Sequence, residues 1–392
     1  MPDIQHPLAG IQYPATADEL RDALASAGSS KRTVELFGAN TKRLMAGSVQ
    51  PADVRVSTAA MRRILQYEPR DLTISVQAGM PFAQLNAELA RHGQMIPLDG
   101  PWSREATVGG MIAANISGAR RRLYGTARDL VIGMTFATVD GKLVQSGGMV
   151  VKNVAGLDMA KLLIGSFGTL AAIATVNFKL TPMPKVARTV LFRCDDAKVA
   201  TAMRDAAIRS QWAPIAVELL NPVLAAQLGL KGYKLALAFA GNEAVIERCL
   251  REAAALGPMR TLAGEEEHRF WSSLDAVTPH FLEKFREGAV VRLSTTLADC
   301  GEALASIEGP GQAHAGTGVV RGWFTRPDAA ARWLAASGKR GWKGVVEYAG
   351  EAARPSMKLW PEPGGDFVIM KQIKQMFDPE GLLNRGRFYG QF

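Results

Sequence analysis

Between Gly147 and Ile173 the chain reads GGMVVKNVAGLDMAKLLIGSFGTLAAI, and this stretch limits the possible folds more than any other. An edge of β character, Met149–Val151, leads through Lys152 and Asn153 to the small pair Ala155 and Gly156. Asp158 is placed to cap a short helix with Met159, Leu162 and Leu163 on its apolar face and Gly165 closing it. Gly168 then opens a strand, and from Thr175 to Thr181 polar and apolar residues alternate with the period of a half-buried strand. Glycines and an asparagine between apolar segments suit two structures: backbone brought close to a flat ligand, or a tightly packed turn. The residues alone leave both open.

Two earlier stretches have the same character. The strand Thr33–Phe37 runs into Gly38, Ala39, Asn40, Thr41 and Lys42, a turn that either aims successive backbone N–H groups at one anion or simply ends the strand. Thr41 and Lys42 would add a hydroxyl and a positive charge for a phosphate. Further on, Pro97–Pro101 is rich in turn residues, and Thr107, Gly109 and Gly110 precede small residues that run to Asn115 and Gly118. Between these stretches, Thr16 and Glu19 form a capping-box pattern for a helix through Leu20, Leu24 and Ala27. Asp71–Ala78 alternates as a half-buried strand, and Pro81 opens a helix. Phe136–Val139 and Lys142–Val144 read as a hairpin about Asp140 and Gly141, a pair favoured in type I′ turns.

Bulk properties narrow the class. A chain of 392 residues with 47% hydrophobic content can bury cores for two or three domains. Cys194, Cys249 and Cys300 lie far apart, which excludes an iron–sulfur cluster held by this chain's cysteines and points to reduced, buried thiols in the cytoplasm. The N-terminus lacks the basic and apolar regions of a signal peptide, and no apolar run reaches the ~18–20 residues of a membrane span. The net charge of +9 is scattered in pairs plus the triplet Arg120–Arg122, with no nucleic-acid-binding motif beside it. A phosphate-bearing cofactor, an anionic substrate or an acidic partner explains the sign better than nucleic acid. No GxxxxGK[ST] loop is present, and Gly316-Thr-Gly318-Val-Val-Arg321 lacks the third glycine of a dinucleotide fingerprint.

Taken together and in order, these segments resemble the FAD-binding domain of the vanillyl-alcohol-oxidase (PCMH-type) flavoproteins, in the branch that oxidises 2-hydroxy acids such as glycolate and D-lactate. Gly38–Lys42 is similar to the family's pyrophosphate loop, and Pro97–Pro101 with Thr107–Gly110, Asn115 and Gly118 to its second phosphate and ring segment. Lys152, Asn153, Gly156, Asp158 and Gly168 are similar to its flavin-proximal segment, and Asp378–Arg387, with Asn384, to its C-terminal ending. Arg385 stands there in place of the usual proline. The resemblance implies an α+β fold: a two-lobed FAD-binding domain over 1–185, an α/β cap over 186–345, and a segment over 346–392 returning to the flavin. It implies FAD held noncovalently, since neither phosphate loop nor flavin segment contains a histidine or cysteine for a covalent link.

The departures from the family pattern carry information of their own. Active members have an H-x-G-D-G-N-x-H stretch that helps hold a divalent metal. Here the matching stretch keeps His314, but Thr317 replaces the acid and Arg321 the second histidine, so no metal is expected. Members also carry a histidine base in an E-H-G stretch, where this chain has Glu347, Tyr348, Ala349 and Gly350. A tyrosine with a pKa near ~10 does not take a hydroxyl proton at neutral pH, so the catalytic residue stays unassigned. Phe167 stands where glutamate is frequent. This combination is similar to the FAD-binding E-type subunits of bacterial glycolate oxidase (dehydrogenase) complexes. That implies a larger flavoprotein D-type partner, an iron–sulfur F-type partner, a small 2-hydroxy acid substrate, and a cytoplasmic place, peripheral at the inner membrane through partners. The alternative is a flavin relay or assembly subunit with no oxidation site of its own.

Overall fold

The computed structural model describes residues 10–150 and 157–392. Lys152, Asn153 and Gly156 therefore lie outside the described residues. In the first lobe the helix Ala17–Ser29 lies between a parallel sheet, in which Val54–Ser57 is flanked by Ile11–Gln12 and Val34–Phe37, and the strands Val131–Ala137 and Ala172–Lys179. Leu20 and Leu24 are fully buried there with Val34 and Val56, the i, i+4 face that the sequence pattern presents. Thr16 caps this helix by accepting from Glu19 N at 3.1 Å, but the Glu19 carboxylate reaches back to Ala15 N (2.8 Å), one residue before the cap.

The second lobe is an antiparallel sheet ordered Ile64–Glu68, Thr73–Gln77, Ala172–Lys179, Val131–Ala137, Leu143–Gly147. Two expectations change here. Thr73–Gln77 is buried throughout, and Ala172–Lys179 everywhere except Lys179, so neither is half-buried. Ala172 and Ala174 pack into the first lobe's core while Val176 and Phe178 join the larger core, so both faces are covered. The turn at Asp140 is not type I′, because only Gly141 has positive φ (81°) and its N–H donates to Thr138 O. This is a three-residue connection with glycine in the left-handed position.

From Val186 onward one eight-stranded sheet dominates, every neighbouring pair antiparallel. Its order is Met259–Ala263, Val186–Cys194, Tyr233–Gly241, Ala216–Leu220, Gly311–His314, Val319–Phe324, Ala289–Ser294, Lys343–Ala349. The expected cap boundary at 345/346 thus falls inside the last strand. Alternate side chains split between two cores. Val190, Phe192, Leu235, Leu237, Val291 and Leu293 face the helices, among them Ala197–Arg209 and Pro327–Lys339. Leu191, Ala236, Val290 and Trp323 are on the opposite face and join the core shared by the lobes and the helices Gly264–Asp275 and Val277–Lys284.

The last strand breaks this alternation. Val290 pairs with Tyr348 but Val291 pairs with Val346, leaving Glu347 as an extra residue in a β-bulge. Val346 and Ala349 stay in the helix-side core, whereas Tyr348 joins Val290 on the flavin side. Glu347 reaches the same side, where it pairs with Arg321. One bulge therefore aims two consecutive side chains at the interface between cap and lobes.

The chain ends by returning to its beginning. Leu383 bridges Val34 in parallel, and buried Lys374 donates to Thr169 O (2.7 Å) and Asp378 Oδ2 (2.6 Å). Asn384 donates to Leu36 O (2.9 Å) and Phe167 O (2.7 Å) and accepts from Leu36 N (2.7 Å). This one side chain ties the strand Val34–Phe37, the segment at Gly168 and the C-terminus together.

Candidate functional site

Two adjoining cavities lie where these elements meet, and they share Ala114 and Phe167 as walls. The first gathers Gly38, Ala39, Asn40, Thr41, Lys42, Thr107, Gly109, Gly110, Gly168 and Asn384. These residues are up to 346 positions apart in sequence, from Gly38 to Asn384, and the fold makes them one wall. The backbone N–H groups of Ala39 to Lys42 donate to no acceptor among the described residues. A Cβ on Gly38 would come within 2.1 Å of Thr107 Oγ1, so only glycine lets the two loops touch. Gly168 has φ +69°, and a Cβ there would meet Asn384 Nδ2 at 2.8 Å.

Backbone strain collects around the same place. Asn40, Asn115, Phe167 and Asn384 all have positive φ (55°, 49°, 53° and 42°). Asparagine tolerates this region; phenylalanine does so at a cost, met here by hydrogen bonds from Phe167 N to Ala113 O and from Asn384 Nδ2 to Phe167 O.

Two buried cations face the first cavity without a carboxylate partner among the described residues. Lys42 Nζ donates to Pro101 O at 2.7 Å and stands 5.3 Å from the Trp102 ring centre. Burial pulls it down to about 7, with Glu105 opposing only in part. Arg387 is lowered to about 10 by burial and then by Arg354. Its Nη1 holds Met45 O at 2.6 Å while its Nε has no partner in the structure. Free backbone donors, two uncompensated cations and an orphaned N–H form the donor set of a diphosphate site. The residues present thus fit the phosphate end of FAD.

The second cavity, of ≈ 260 Å³, lies between Asn115–Gly118 on the lobes and the cap strands. Arg121, Arg292, Arg321, His314, Glu347 and Tyr348 line it. Arg292 and Arg321 are cross-strand partners, and both reach Glu347: Arg321 bidentately (2.6 and 3.2 Å), Arg292 at 3.5 Å. Burial alone would raise the Glu347 carboxyl, but the Arg321 guanidinium overrides it and holds the group below the usual carboxylate range. Arg121 has no acid or hydrogen-bond partner among the described residues and is lowered by burial, then by Arg292 and Arg321. Three guanidiniums against one carboxylate leave the cavity electropositive.

His314 is fully engaged. Its Nε2 contacts Arg321, which can only donate, so Nδ1 carries the hydrogen and donates to Glu218 Oε1 at 2.8 Å. Gln312 donates to the other Glu218 oxygen at 2.8 Å. A ring held at both nitrogens offers no lone pair to a metal, and no metal-binding cluster of acids, histidines or cysteines occurs among the described residues. Tyr348, 1% exposed, packs 5.3 Å from the Trp102 ring; burial first, and Glu347 second, raise its hydroxyl well above the ordinary tyrosine range.

Asn115 and Gly118 line the second cavity, whereas Pro97 and Asp158 line neither. Pro97 is buried behind the loop, and Asp158 caps the helix Met159–Leu163 from an exposed position. Sequence reasoning missed Arg121, Arg292, Arg321 and Glu347 as a group, and Arg387. Arg121 belongs to a triplet whose members part company: Arg120 N is capped by Asp99, Arg121 faces the cavity, and Arg122 Nη1 approaches Gly316 O at 3.4 Å.

The family model described as an FAD binding domain matches residues 8–147. The glycolate oxidase subunit GlcE of Escherichia coli (strain K12) is 27% identical over 384 residues, covering 95% of this chain and 97% of that protein. A D-2-hydroxyglutarate dehydrogenase of Xanthomonas citri is 25% identical over 425 residues, covering 98% and 89%. Among solved structures, p-cresol methylhydroxylase with substrate bound superposes with a TM-score of 0.75 at 15% identity, over 97% of this chain and 88% of that one. That likeness is one of fold.

Proposed function

Residues 8–147 are an FAD-binding domain on a two-lobed flavin-oxidoreductase fold, and from that premise we propose that the chain is a flavin-bearing subunit oxidising glycolate or a similar small 2-hydroxy acid to the 2-oxo acid. One observation supports this most: an electropositive cavity adjoins the diphosphate-type cavity through the shared walls Ala114 and Phe167. The similarity to proteins named for glycolate and 2-hydroxyglutarate oxidation supports the substrate class.

Gly38–Lys42, Thr107–Gly110, Gly168, Asn384 and Arg387 would hold the cofactor, with no histidine or cysteine in that lining for a covalent link. Bound FAD supplies a two-electron acceptor for the hydrogen on the hydroxyl-bearing carbon. Arg121 and Arg292 attract the substrate carboxylate, because Arg321 is already neutralised by Glu347. The cap strands exclude water from this space and so strengthen those attractions. Electrons then pass to a partner, a D-type flavoprotein and an F-type iron–sulfur subunit, since the three cysteines here are separate and buried. The chain would be cytoplasmic and reach a membrane only through partners; among the described residues no helix is long and apolar enough to cross one.

A second reading has its own observation: the buried, upward-shifted Tyr348 stands at the family's base position, which suits a flavin relay or assembly subunit. Anaerobic mixing of the FAD-loaded chain with glycolate separates the two. Bleaching without partner is the outcome expected from the first reading; bleaching only after the D-type subunit is added supports the relay.

A further inference from the structure

Oxidation of a 2-hydroxy acid releases a hydroxyl proton, and the groups lining the second cavity are poor acceptors for it. Both His314 nitrogens are bonded, Glu347 is bound bidentately by Arg321, Glu218 holds His314 and Gln312, and Tyr348 is shifted upward. Behind them lies a chamber of ≈ 20 Å³, large enough for one water, that shares Pro101, Gly118, His314 and Arg321 with the substrate cavity. Gln312, Thr278 and the carboxyl of Asp275 complete its polar wall.

Asp275 is unusual in three respects. It ends the helix Gly264–Asp275 and stands two residues before the helix Val277–Lys284, so the two helix ends act on its charge in opposite directions. Its carboxyl makes no hydrogen bond or ion pair among the described residues. Its charged surroundings are mixed: Asp99 and Arg120 from the lobe segment, Glu218 from the strand Ala216–Leu220, and Arg321 from the strand two places along the sheet. Burial, then Asp99, push it up to about 7, the range in which a carboxylate serves as base near neutral pH. The residue is only partly buried and lines a water-sized space beside the site.

We propose that Asp275 accepts the substrate's hydroxyl proton through a water held in this chamber. This rests on the hydroxy-acid reading above. Bound FAD would take the electron pair of the C–H bond as hydride while the O–H bond breaks and the carbonyl forms. The proton passes to the water, whose own proton passes to the Asp275 carboxylate.

The test uses the full chain loaded with FAD, mixed anaerobically with glycolate and D-lactate from about pH 5.5 to about pH 8.5. Wild-type bleaching rises with pH through about 7. Asp275→Asn, isosteric and without an ionisable group, is slowed ~100-fold or more and loses that rise, while Asp275→Glu recovers part of it. Without substrate, the infrared band of a protonated carboxyl disappears as pH rises through about 7 and is missing from the Asn variant. An Asn variant that bleaches like wild type, or is slowed with the pH profile intact, overturns the proposal, as does a missing titrating band. A wild type that neither acid bleaches without its partner overturns the hydroxy-acid reading and this proposal with it, whether or not the D-type subunit then restores bleaching. An indifferent Asn variant beside a reactive wild type overturns this proposal alone.

Discussion

Lys42 offers a direct measurement of the cofactor site. The residue is 8% exposed, its ammonium bonded to Pro101 O and faced by no acid within bonding distance, so burial holds it down to about 7. A diphosphate placed against Ala39–Lys42 would restore the charged form, so binding FAD draws a proton onto this lysine. If the bound lysine stays protonated throughout, the FAD dissociation constant rises with pH as one plus the free chain's ratio of neutral to charged lysine. Between about pH 6.5 and about pH 8.5 that is ~25-fold, or ~2 kcal/mol. Titration by flavin fluorescence measures the constant, and calorimetry in two buffers of different ionisation enthalpy measures the proton, about half a proton per FAD at pH 7. Lys42→Met should weaken binding ~10- to 100-fold at the acid end, the worth of a charge-assisted hydrogen bond, and abolish the slope. A flat wild-type profile, or a Met variant with the wild-type slope, refutes the assignment. The flavin-free chain gives a second reading. Folded Lys42 titrates below its unfolded value of 10.5, so the unfolded chain binds more protons between about 7 and 10.5 and stability rises with pH there, by up to ~1.4 kcal/mol per unit.

The remaining predictions concern other parts of the site. Asp275 has the opposite sign: raised from 3.8 to about 7, it loses stability as pH rises through that window, so Asp275→Asn should raise the melting temperature at pH 8 and leave it unchanged near pH 4. Arg321→Met leaves Glu347 buried without its bidentate partner and should cost ~3–5 kcal/mol in urea unfolding, with Glu347→Leu recovering part of the loss. Arg292→Met should weaken a non-reactive 2-oxo acid ~10-fold or more, followed by the perturbation of flavin absorbance, and Arg292→Lys should weaken it less. Asn384→Ala removes three hydrogen bonds joining Leu36 and Phe167 and places alanine at positive φ, a loss of ~2–4 kcal/mol in unfolding with weaker FAD binding.

The phosphate half of the site was legible because it is made of backbone. Glycine and asparagine after a strand state what the local chain can do, and Gly38–Lys42, Thr107–Gly110 and Gly168 came together as their residue types implied. The helix caps at Thr16 and Asp158 were readable for the same reason, each being settled within four residues. Burial was less legible: the alternation in Thr175–Thr181 suggested one wet face, but a middle strand covered from both sides has none. The cation-lined half lay beyond sequence reasoning altogether. Arg121, Arg292, Arg321 and Asp275 sit in four separate elements, and only the register pairing Arg292 with Arg321, and the packing of a helix end over Gly118, bring the arginines to one cavity and Asp275 to the chamber beside it.

The first stretch, Gly147–Ile173, shows where the division falls. By itself the sequence determined the local backbone of this platform, the cap at Asp158 and the left-handed glycines at Gly165 and Gly168, because glycine and cap chemistry act over a few residues. Tertiary structure decided what faces that platform. In Lys343–Ala349 strict alternation would set Tyr348 on the same side as Val346, against the cap's helices; the bulge at Glu347 turns both Glu347 and Tyr348 toward the lobes. A bulge is a two-against-one count between partner strands, so it belongs to the pairing with Val290 and Val291, some 57 residues away in the chain. No periodicity within one strand records it.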